Sequence, residues 1–464
     1  MADITLMGAT YHDVPAVTLP SATPGETVTF YENGGGGVDV ESLSVTANGT
    51  YTAPTGKAYS PVVVNVSGGV SADRKDVNFY DYDGSIVASY TTAEFANIDA
   101  LPSNPSHTGL TAQGWNMPSG WTLANAKTYV ATNKKADWGQ MYTTASGKTE
   151  IDVEFSDPNR LSPNMCFAVN GTVTVDWGDG SAADTVTGTS LATKQSTGNH
   201  TYPAVGKYTI KIMATTGSWG FYVTSTYTFL YKNENSATNE NRVYANCVQN
   251  IRIGAGCKSI GNSGVYYCSS LKSISIPNSL TSIGSNAFYY CYALSFITIP
   301  NSVTSISGST FYYCVSLKSV LTPNSVTSIG TSVFYYCYSL TSISIPSGVT
   351  SIGTNTNRYC NALTSVSIPN SVTSIGSNAF NSCASLTSIT IPSSVTSIGT
   401  KAFQNCNGLG SIHFKGSTPP TVDAADAFAS LPTDCKIYVP TGKLSTYTGT
   451  SNYPSSSTYT YIEE

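Results

Sequence analysis

Cys268-Ser269-Ser270-Leu271-Lys272-Ser273-Ile274-Ser275-Ile276-Pro277-Asn278-Ser279-Leu280-Thr281-Ser282-Ile283-Gly284-Ser285-Asn286-Ala287-Phe288-Tyr289-Tyr290 is one unit of a 23-residue repeat. The repeat is marked by Cys268, Cys291, Cys314, Cys337, Cys360, Cys383 and Cys406, each followed three residues later by leucine. A fixed period of this length is the mark of a solenoid, in which one unit is too small to bury its own apolar side chains and a stack of units makes a continuous core. Leu271, Ile274 and Ile276 alternate along a strand and are expected to face inward. Pro277 ends that strand because it has no N–H to donate. Leu280 and Ile283 point inward from a second short strand, Gly284 permits the corner, and Phe288 and Cys291 close the turn. Successive turns should stack at about 4.8 Å.

This pattern resembles the BspA-type leucine-rich repeats of bacterial surface, protist and phage proteins, over about 170 residues. The resemblance implies a binding surface rather than an enzyme. Two units depart from the pattern. Leu321-Thr322 reverses the usual polar-apolar order, which predicts a register irregularity or an exposed apolar spot. Asn357 stands in place of phenylalanine, which predicts a looser turn, since burying a phenylalanine contributes ~1.5–3 kcal/mol.

Outward from the repeat, the chain reads as mainly β and multidomain. Residues 1–70 form a small β-rich anchoring region with Gly-rich linkers at Gly34–Gly37 and Ser67-Gly68-Gly69. Asn48-Gly49 suggests a hairpin turn between strands. Residues 77–147 read as a small α+β segment, with a turn at Asp81-Tyr82-Asp83-Gly84 and short helices near Thr92 to Ala100 and Leu123 to Thr132. Its Trp115, Trp121 and Trp138 are read as core, with a sugar site as the alternative, because so short a unit needs large apolar groups.

Residues 148–232 carry Trp177-Gly178-Asp179-Gly180, then His200-Thr201-Tyr202 and Gly206-Lys207-Tyr208-Thr209-Ile210. This run resembles the PKD family of immunoglobulin-like β-sandwiches. The resemblance implies that Trp177 is a core residue, that Tyr208 is a corner residue, and that the domain is a spacer or weak adhesion module. Asp176 and Asp179 read as turn caps rather than calcium ligands, since no further acidic cluster supplies the remaining oxygens. The solenoid is assigned to residues 245–415, with about seven turns and a degenerate opening turn before Cys268. Residues 416–464 form the cap and tail, in which Tyr447, Tyr453, Tyr459 and Tyr461 pack over the solenoid's end.

Composition narrows the function. Only 11% of residues are charged and the net charge is −5, so phosphate neutralisation along a nucleic acid is excluded as a reading. No apolar stretch is long enough to cross a membrane. The eleven cysteines are an odd number, and seven fall on the inward ladder, which favours buried free thiols over disulfides. His12, His107, His200 and His413 do not cluster with them, so no zinc site is expected. Metalloprotease, phosphate-loop and nucleophile-elbow motifs are lacking. The expectation is a protein that is not an enzyme and holds no cofactor.

Comparing the repeats with each other isolates the positions that vary. Flanking the ladder cysteines stand Tyr266, Tyr267, Tyr289, Tyr290, Tyr292, Tyr312, Tyr313, Tyr335, Tyr336, Tyr338 and Tyr359. With phenylalanine and cysteine pointing in, these are expected to point out as a tyrosine stripe. Tyrosine offers a rigid apolar face and a hydroxyl at low entropic cost. The stripe is the candidate ligand-binding surface; contact between subunits and a plain outer layer are the alternatives. The Ser/Thr strand face, with Ser273, Ser275, Ser342 and Ser344, is the second candidate.

The N-terminus has neither basic region nor apolar core, so no export leader is read. Thr18 to Glu32, Asn48 to Pro54 and Gly109 to Asn116 resemble pieces of tail-associated proteins of gut-bacterium phages. That resemblance implies a virion-surface protein made in the bacterial cytoplasm. Its N-terminal region would meet other virion proteins and its solenoid a host cell-surface glycan or protein; the resemblance also allows a homo-oligomer such as a trimer, and the sequence does not fix the oligomeric state. A bacterial surface adhesin and a structural decoration protein are the rival readings.

Overall fold

A computed structural model describes residues 75–118, 120–133, 136–222, 229–231 and 244–464, and backbone strands within the first 74 residues. The chain divides into two compact units, Met1–Arg74 and Lys75–Glu464. In the first, Ala2–Leu6 pairs antiparallel with Ala9–Val14, and Thr27–Tyr31 lies between Asp39–Ser44 and Asn65–Ser67. The expected Asn48-Gly49 turn and the break at Gly34–Gly37 lie outside the described residues.

The second unit begins with a four-stranded sheet. Val77–Tyr80 pairs parallel with Ala136–Thr144 and antiparallel with Ile86–Tyr90, and Leu110–Trp115 joins the far edge of Ala136–Thr144. The Asp81–Gly84 turn is closed by the Gly84 N–H on the Asp81 carbonyl at 3.0 Å. Helix Thr92–Ala96 opens with a capping box, in which Thr91 and Glu94 exchange side-chain-to-backbone hydrogen bonds. It ends at Ala96, short of the expected Ala100, because Asn97 caps it. The second helix is Leu123–Asn133. Of the three tryptophans, Trp138 is core, packed on Phe79 and Phe95 at 5.3 and 5.8 Å. Trp115 and Trp121 are only half-buried.

Residues 148–232 supply four antiparallel strands, Thr149–Phe155, Asn164–Asp176, Asp184–Asn199 and Gly206–Phe221, hydrogen-bonded in one sheet. Trp177 is fully buried, its indole N–H on Asp184 at 2.8 Å and its ring stacked on His200 at 4.5 Å. The Tyr208 hydroxyl donates to the Ala204 carbonyl at 2.9 Å, and the buried Tyr202 donates to the Trp177 carbonyl at 3.1 Å. Asp176 and Asp179 accept the Gly178 and Ser181 N–H groups and so cap the turn between them.

This sheet runs without a break into the solenoid. Val248–Arg252 pairs antiparallel with Thr149–Phe155 on one edge and parallel with Ser273–Ser275 on the other. The end of Gly206–Phe221 pairs parallel with Cys257–Ile260, which in turn pairs with Ser282–Ile283. Both strand ladders of the solenoid therefore start on paired backbone rather than on an open edge. Arg252 ties the junction across strands: its guanidinium meets Asp152 at 2.7 and 2.8 Å and Glu150 at 3.0 Å. Burial, the largest single influence, would raise the Asp152 carboxyl, but the hydrogen bonds and charge of Arg252 together with hydrogen bonds from Thr209 and Asn250 outweigh it and hold the group below the usual carboxylate range.

From there about nine turns stack. Leu271, Ile274, Ile276, Leu280, Ile283, Phe288 and Cys291 are buried, as are nearly all their counterparts. All eleven cysteines are free thiols. The ladder thiols from Cys291 to Cys406 each donate to a carbonyl of the preceding turn, at 3.1 to 3.2 Å. Most of these carbonyls also accept a backbone N–H within their own turn, as Phe288 does from Cys291 at 3.1 Å, so the thiol adds a second donor that ties one turn to the next. At the far end Phe428, from the short helix Ala425–Phe428, stacks on Phe403 at 5.6 Å. The strands Lys436–Val439 and Thr460–Glu463 add two more parallel layers. Tyr447 and Tyr453 seal the end through hydrogen bonds to the Gly416 and Pro420 carbonyls.

The two irregular units behave differently. Phe296–Thr298 pairs with Ser319–Leu321 in the regular parallel register, and Leu321 is only 3% exposed. Neither the expected slip nor the expected exposed spot is present. Leu321 packs with Tyr80 and Phe296 beneath the N-terminal α+β segment, whose strand Ala136–Thr144 crosses the first turns. Gly139 makes the close approach possible: a Cβ there would collide with the Thr298 hydroxyl and lie 2.7 Å from the Leu321 Cδ1. At the other unit Asn357 interrupts the ring stack, separating Phe288, Phe311 and Phe334 from Phe380, Phe403 and Phe428. It is completely buried, neither of its amide atoms has a partner, and a small cavity lined by Ile329, Ile343 and Val349 adjoins it.

Two outcomes follow from these contacts. Asn357→Phe should raise the unfolding free energy by about 2 kcal/mol, by filling the stack and removing an unsatisfied amide; a lower denaturant midpoint than the parent's would contradict this. Arg252→Ala should cost about 2 kcal/mol near neutral pH, the usual range for hydrogen bonds to a charged group. Because the folded Asp152 is depressed, its contribution is present above the unfolded value of about 3.9 and is lost as pH falls through the folded one. Denaturation curves between neutral and strongly acid pH should therefore converge for parent and variant as pH drops.

Candidate functional site

Seven successive turns of the solenoid each place two left-handed residues four positions apart. Asn286 and Tyr290 have φ of 56° and 62°, and Ser309 and Tyr313 have 55° and 58°. Between these two bends the backbone donates to the next turn, as in Phe288 N–H to the Thr310 carbonyl at 2.9 Å and Tyr290 N–H to the Tyr312 carbonyl at 2.9 Å. This bonding locks the register of the side chains that follow phenylalanine. The second bend is occupied by Tyr267, Tyr290, Tyr313, Tyr336 and Tyr359, then by Ser382 and Asn405. A left-handed conformation disfavours a bulky side chain and suits asparagine. The first five turns therefore carry tyrosine against the backbone's preference.

The rings form two parallel stacks. In one, Tyr266, Tyr289, Tyr312 and Tyr335 follow at 5.2, 4.4 and 4.9 Å. In the other, Tyr267, Tyr290, Tyr313, Tyr336 and Tyr359 follow at 4.5, 5.0, 4.3 and 4.7 Å. Edge-to-face contacts join the stacks, such as Tyr289 to Tyr290 at 4.5 Å. All nine rings are half-buried by one another and present their remaining surface outward. Arg358 takes the place of tyrosine at the end of the first stack, its guanidinium 5.5 Å from the Tyr335 ring and 4.9 Å from that of Tyr359. It brings a cation to an otherwise neutral stripe.

Two of the candidate tyrosines lie elsewhere. Tyr292 and Tyr338 are 5% and 3% exposed, and Val315 and Ser269 at the same repeat position are also buried. The expectation that the residue after the cysteine points out is corrected for these four turns; Asn361 and Ala384 at the same position are half-buried and Asn407 is exposed. Tyr290 and Tyr336 lie over these rings, at 5.4 and 5.6 Å. They therefore support the stacks from beneath. The Ser/Thr face is divided. Ser275 is buried under the α+β segment and Ser273 is half-buried, whereas Ser344, Ser365, Ser367 and Thr390 stay exposed. Sequence reading missed this covering. The signal was there in Phe296 and Leu321, two large apolar residues at strand positions where the other turns carry polar side chains, mostly Ser or Thr.

Burial pushes the hydroxyls of Tyr289, Tyr312 and Tyr313 above their ordinary value, and that of Tyr335 up to about 12. These four rings therefore present neutral hydroxyls. Among the described residues no group of three or more His, Cys, Asp or Glu side chains is placed to hold a metal, and no helix is long and apolar enough to cross a membrane.

Residues 217–341 and 327–430 match the BspA type leucine rich repeat region, in six copies. Among curated proteins none matches the chain. Among solved structures, a leucine rich cell surface protein from Faecalibacterium prausnitzii A2-165 is similar, with 31% identity over 44% of this chain and a TM-score of 0.33. The chain spans 56% of that protein's length. A leucine-rich repeat protein from Bacteroides ovatus ATCC 8483 shows 28% identity over 46% of this chain and 66% of its own, with a TM-score of 0.31. A T. pallidum leucine rich repeat protein shows 25% identity over 41% and 81%, with a TM-score of 0.32.

Stacked, half-buried phenols should ionise late. A spectrophotometric titration of the folded protein should show tyrosines still protonated beyond pH about 11, past the ordinary value near 10. The amplitude of that late phase should shrink when Tyr289, Tyr312, Tyr313 and Tyr335 are changed to serine. An unchanged late phase would place the slow-ionising phenols elsewhere.

Proposed function

We propose that this chain is a non-enzymatic binding protein that recognises a cell-surface glycan or protein through its tyrosine stacks. The observation that carries this reading is the run of five left-handed tyrosines, Tyr267 to Tyr359, at a bend where the later turns use serine or asparagine. Backbone strain held by surrounding structure argues for a role beyond folding. Here it holds nine rings in a rigid array, and rigid aromatic surface binds at little entropic cost. The match of the repeats to a family represented among cell surface proteins agrees with this reading.

The setting we propose is a phage tail or virion surface, with residues 1–70 as the anchor and residues 148–232 as a PKD-like spacer. The short resemblances at Thr18 to Glu32, Asn48 to Pro54 and Gly109 to Asn116 support it. In the rival setting the same stacks serve a bacterial adhesin.

Binding of the purified chain to intact candidate host cells tests the first part, beside a variant with Tyr289, Tyr290, Tyr312, Tyr313, Tyr335 and Tyr336 changed to serine. Ser382 already occupies the second bend in a later turn, so the variant should fold, and circular dichroism checks that it does. Loss of at least tenfold in affinity is expected, about the effect of removing one strong contact residue. Equal binding by parent and folded variant would sink the role of the stripe. Mass spectrometry of purified virions tests the setting, and absence of the chain from them would favour the adhesin.

A further inference from the structure

A cleft of about 570 Å³ lies where the α+β segment meets the solenoid. Trp115, Met117 and Trp121 line it from the segment, and Asn278 and Asn301 from the solenoid, with Gln113 between them. Among the described residues no charged side chain lines it. Asn278 and Asn301 occupy the same repeat position, directly after the strand-ending prolines, so the 23-residue stacking brings both amides to one wall. The cleft is distinct from the tyrosine stacks in every residue.

We infer that this cleft is a second binding site, for a neutral saccharide of one or two rings. Its volume falls within the ~300–1,000 Å³ of small-molecule sites. A sugar ring has one face of C–H groups and a rim of hydroxyls. Half-buried indole rings match the face, and carboxamides, which both donate and accept, match the rim.

Both rings are held in place. The Trp115 indole N–H donates to the Pro102 carbonyl at 3.1 Å, and its ring meets Phe79 edge-on at 4.9 Å. Trp121 rests on Tyr129 at 5.4 Å. The amides are positioned too. Gln113 accepts the Asn278 backbone N–H at 2.9 Å through its Oε1, which leaves its NH₂ as donor. Asn301 donates to the Met117 carbonyl, while its Oδ1 is buried with no partner. The absence of charge on the lining favours neutral sugars over uronates and phosphorylated ones.

The test follows tryptophan emission of the full chain during titration with lactose, cellobiose and N,N′-diacetylchitobiose, with glucuronate as the charged comparison. A saturable change is expected with at least one disaccharide below roughly 10 mM, the range for a small weakly held ligand, and none with glucuronate. Trp121→Ala should abolish it. Asn278→Ala, an exposed change that keeps the backbone hydrogen bond, should weaken it about tenfold, as loss of one good hydrogen bond does. The six-serine variant of the tyrosine stacks should respond like the parent, which separates this site from the proposed function. No saturable change with any of the three disaccharides overturns the inference. So does a folded Trp121→Ala variant that responds like the parent. If Trp121→Ala does not fold, an unchanged response in Asn278→Ala overturns it.

Discussion

Turn-to-turn hydrogen bonding is the constraint on which the rest of this molecule depends. A 23-residue turn has about five inward aliphatic side chains, one phenylalanine and one thiol, too little to hold itself together. Its backbone donors and carbonyls find partners one turn away, as Tyr290 N–H does on Tyr312 and the Cys314 thiol does on Phe288. Every side chain of a given repeat position is thereby brought into line with its counterparts. The phenylalanine stack, the cysteine ladder, the tyrosine stacks and the asparagine wall of the cleft are four consequences of one register.

The same constraint creates two exposed ends, and the chain closes each differently. At the start, the strand Thr149–Phe155 covers one ladder antiparallel and the end of Gly206–Phe221 covers the other in parallel. The antiparallel sheet is thus structurally part of the solenoid, with Arg252 bridging the joint. At the far end Phe428 extends the ring stack by one, and Tyr447 and Tyr453 cover it with aromatic surface whose hydroxyls reach backbone carbonyls.

A repeat also advertises its exceptions. Where all turns share one backbone, a residue that departs from the pattern reports on something outside the turn. Phe296 and Leu321 replace small polar residues because the α+β segment lies on them. Tyrosine stands at a left-handed bend along five turns where the later turns use serine or asparagine. Asn357 has no such account: it is buried, unpartnered and beside a cavity, and nothing that touches it explains it.

The sequence by itself determined the period, the inward residues of each turn, the free thiols and the closing of the chain's end. These follow from local periodicity, and a period multiplies each signal by the number of repeats. It also marked the tyrosines beside the cysteines, although not which of them face out. Tyr292 and Tyr338 follow a buried cysteine at the point where the chain bends back, and only the path of that bend decides that Tyr290 and Tyr336 cover them. Tertiary structure alone decided that the α+β segment lies on the first turns, that half of the Ser/Thr face is hidden, and that two tryptophans meet two asparagines more than 150 residues away in sequence. Those contacts join segments with no shared period. The physical reason is that docking of one folded surface on another depends on shape and on a few side chains, such as Gly139 against Leu321, whose meaning appears only when both surfaces are formed.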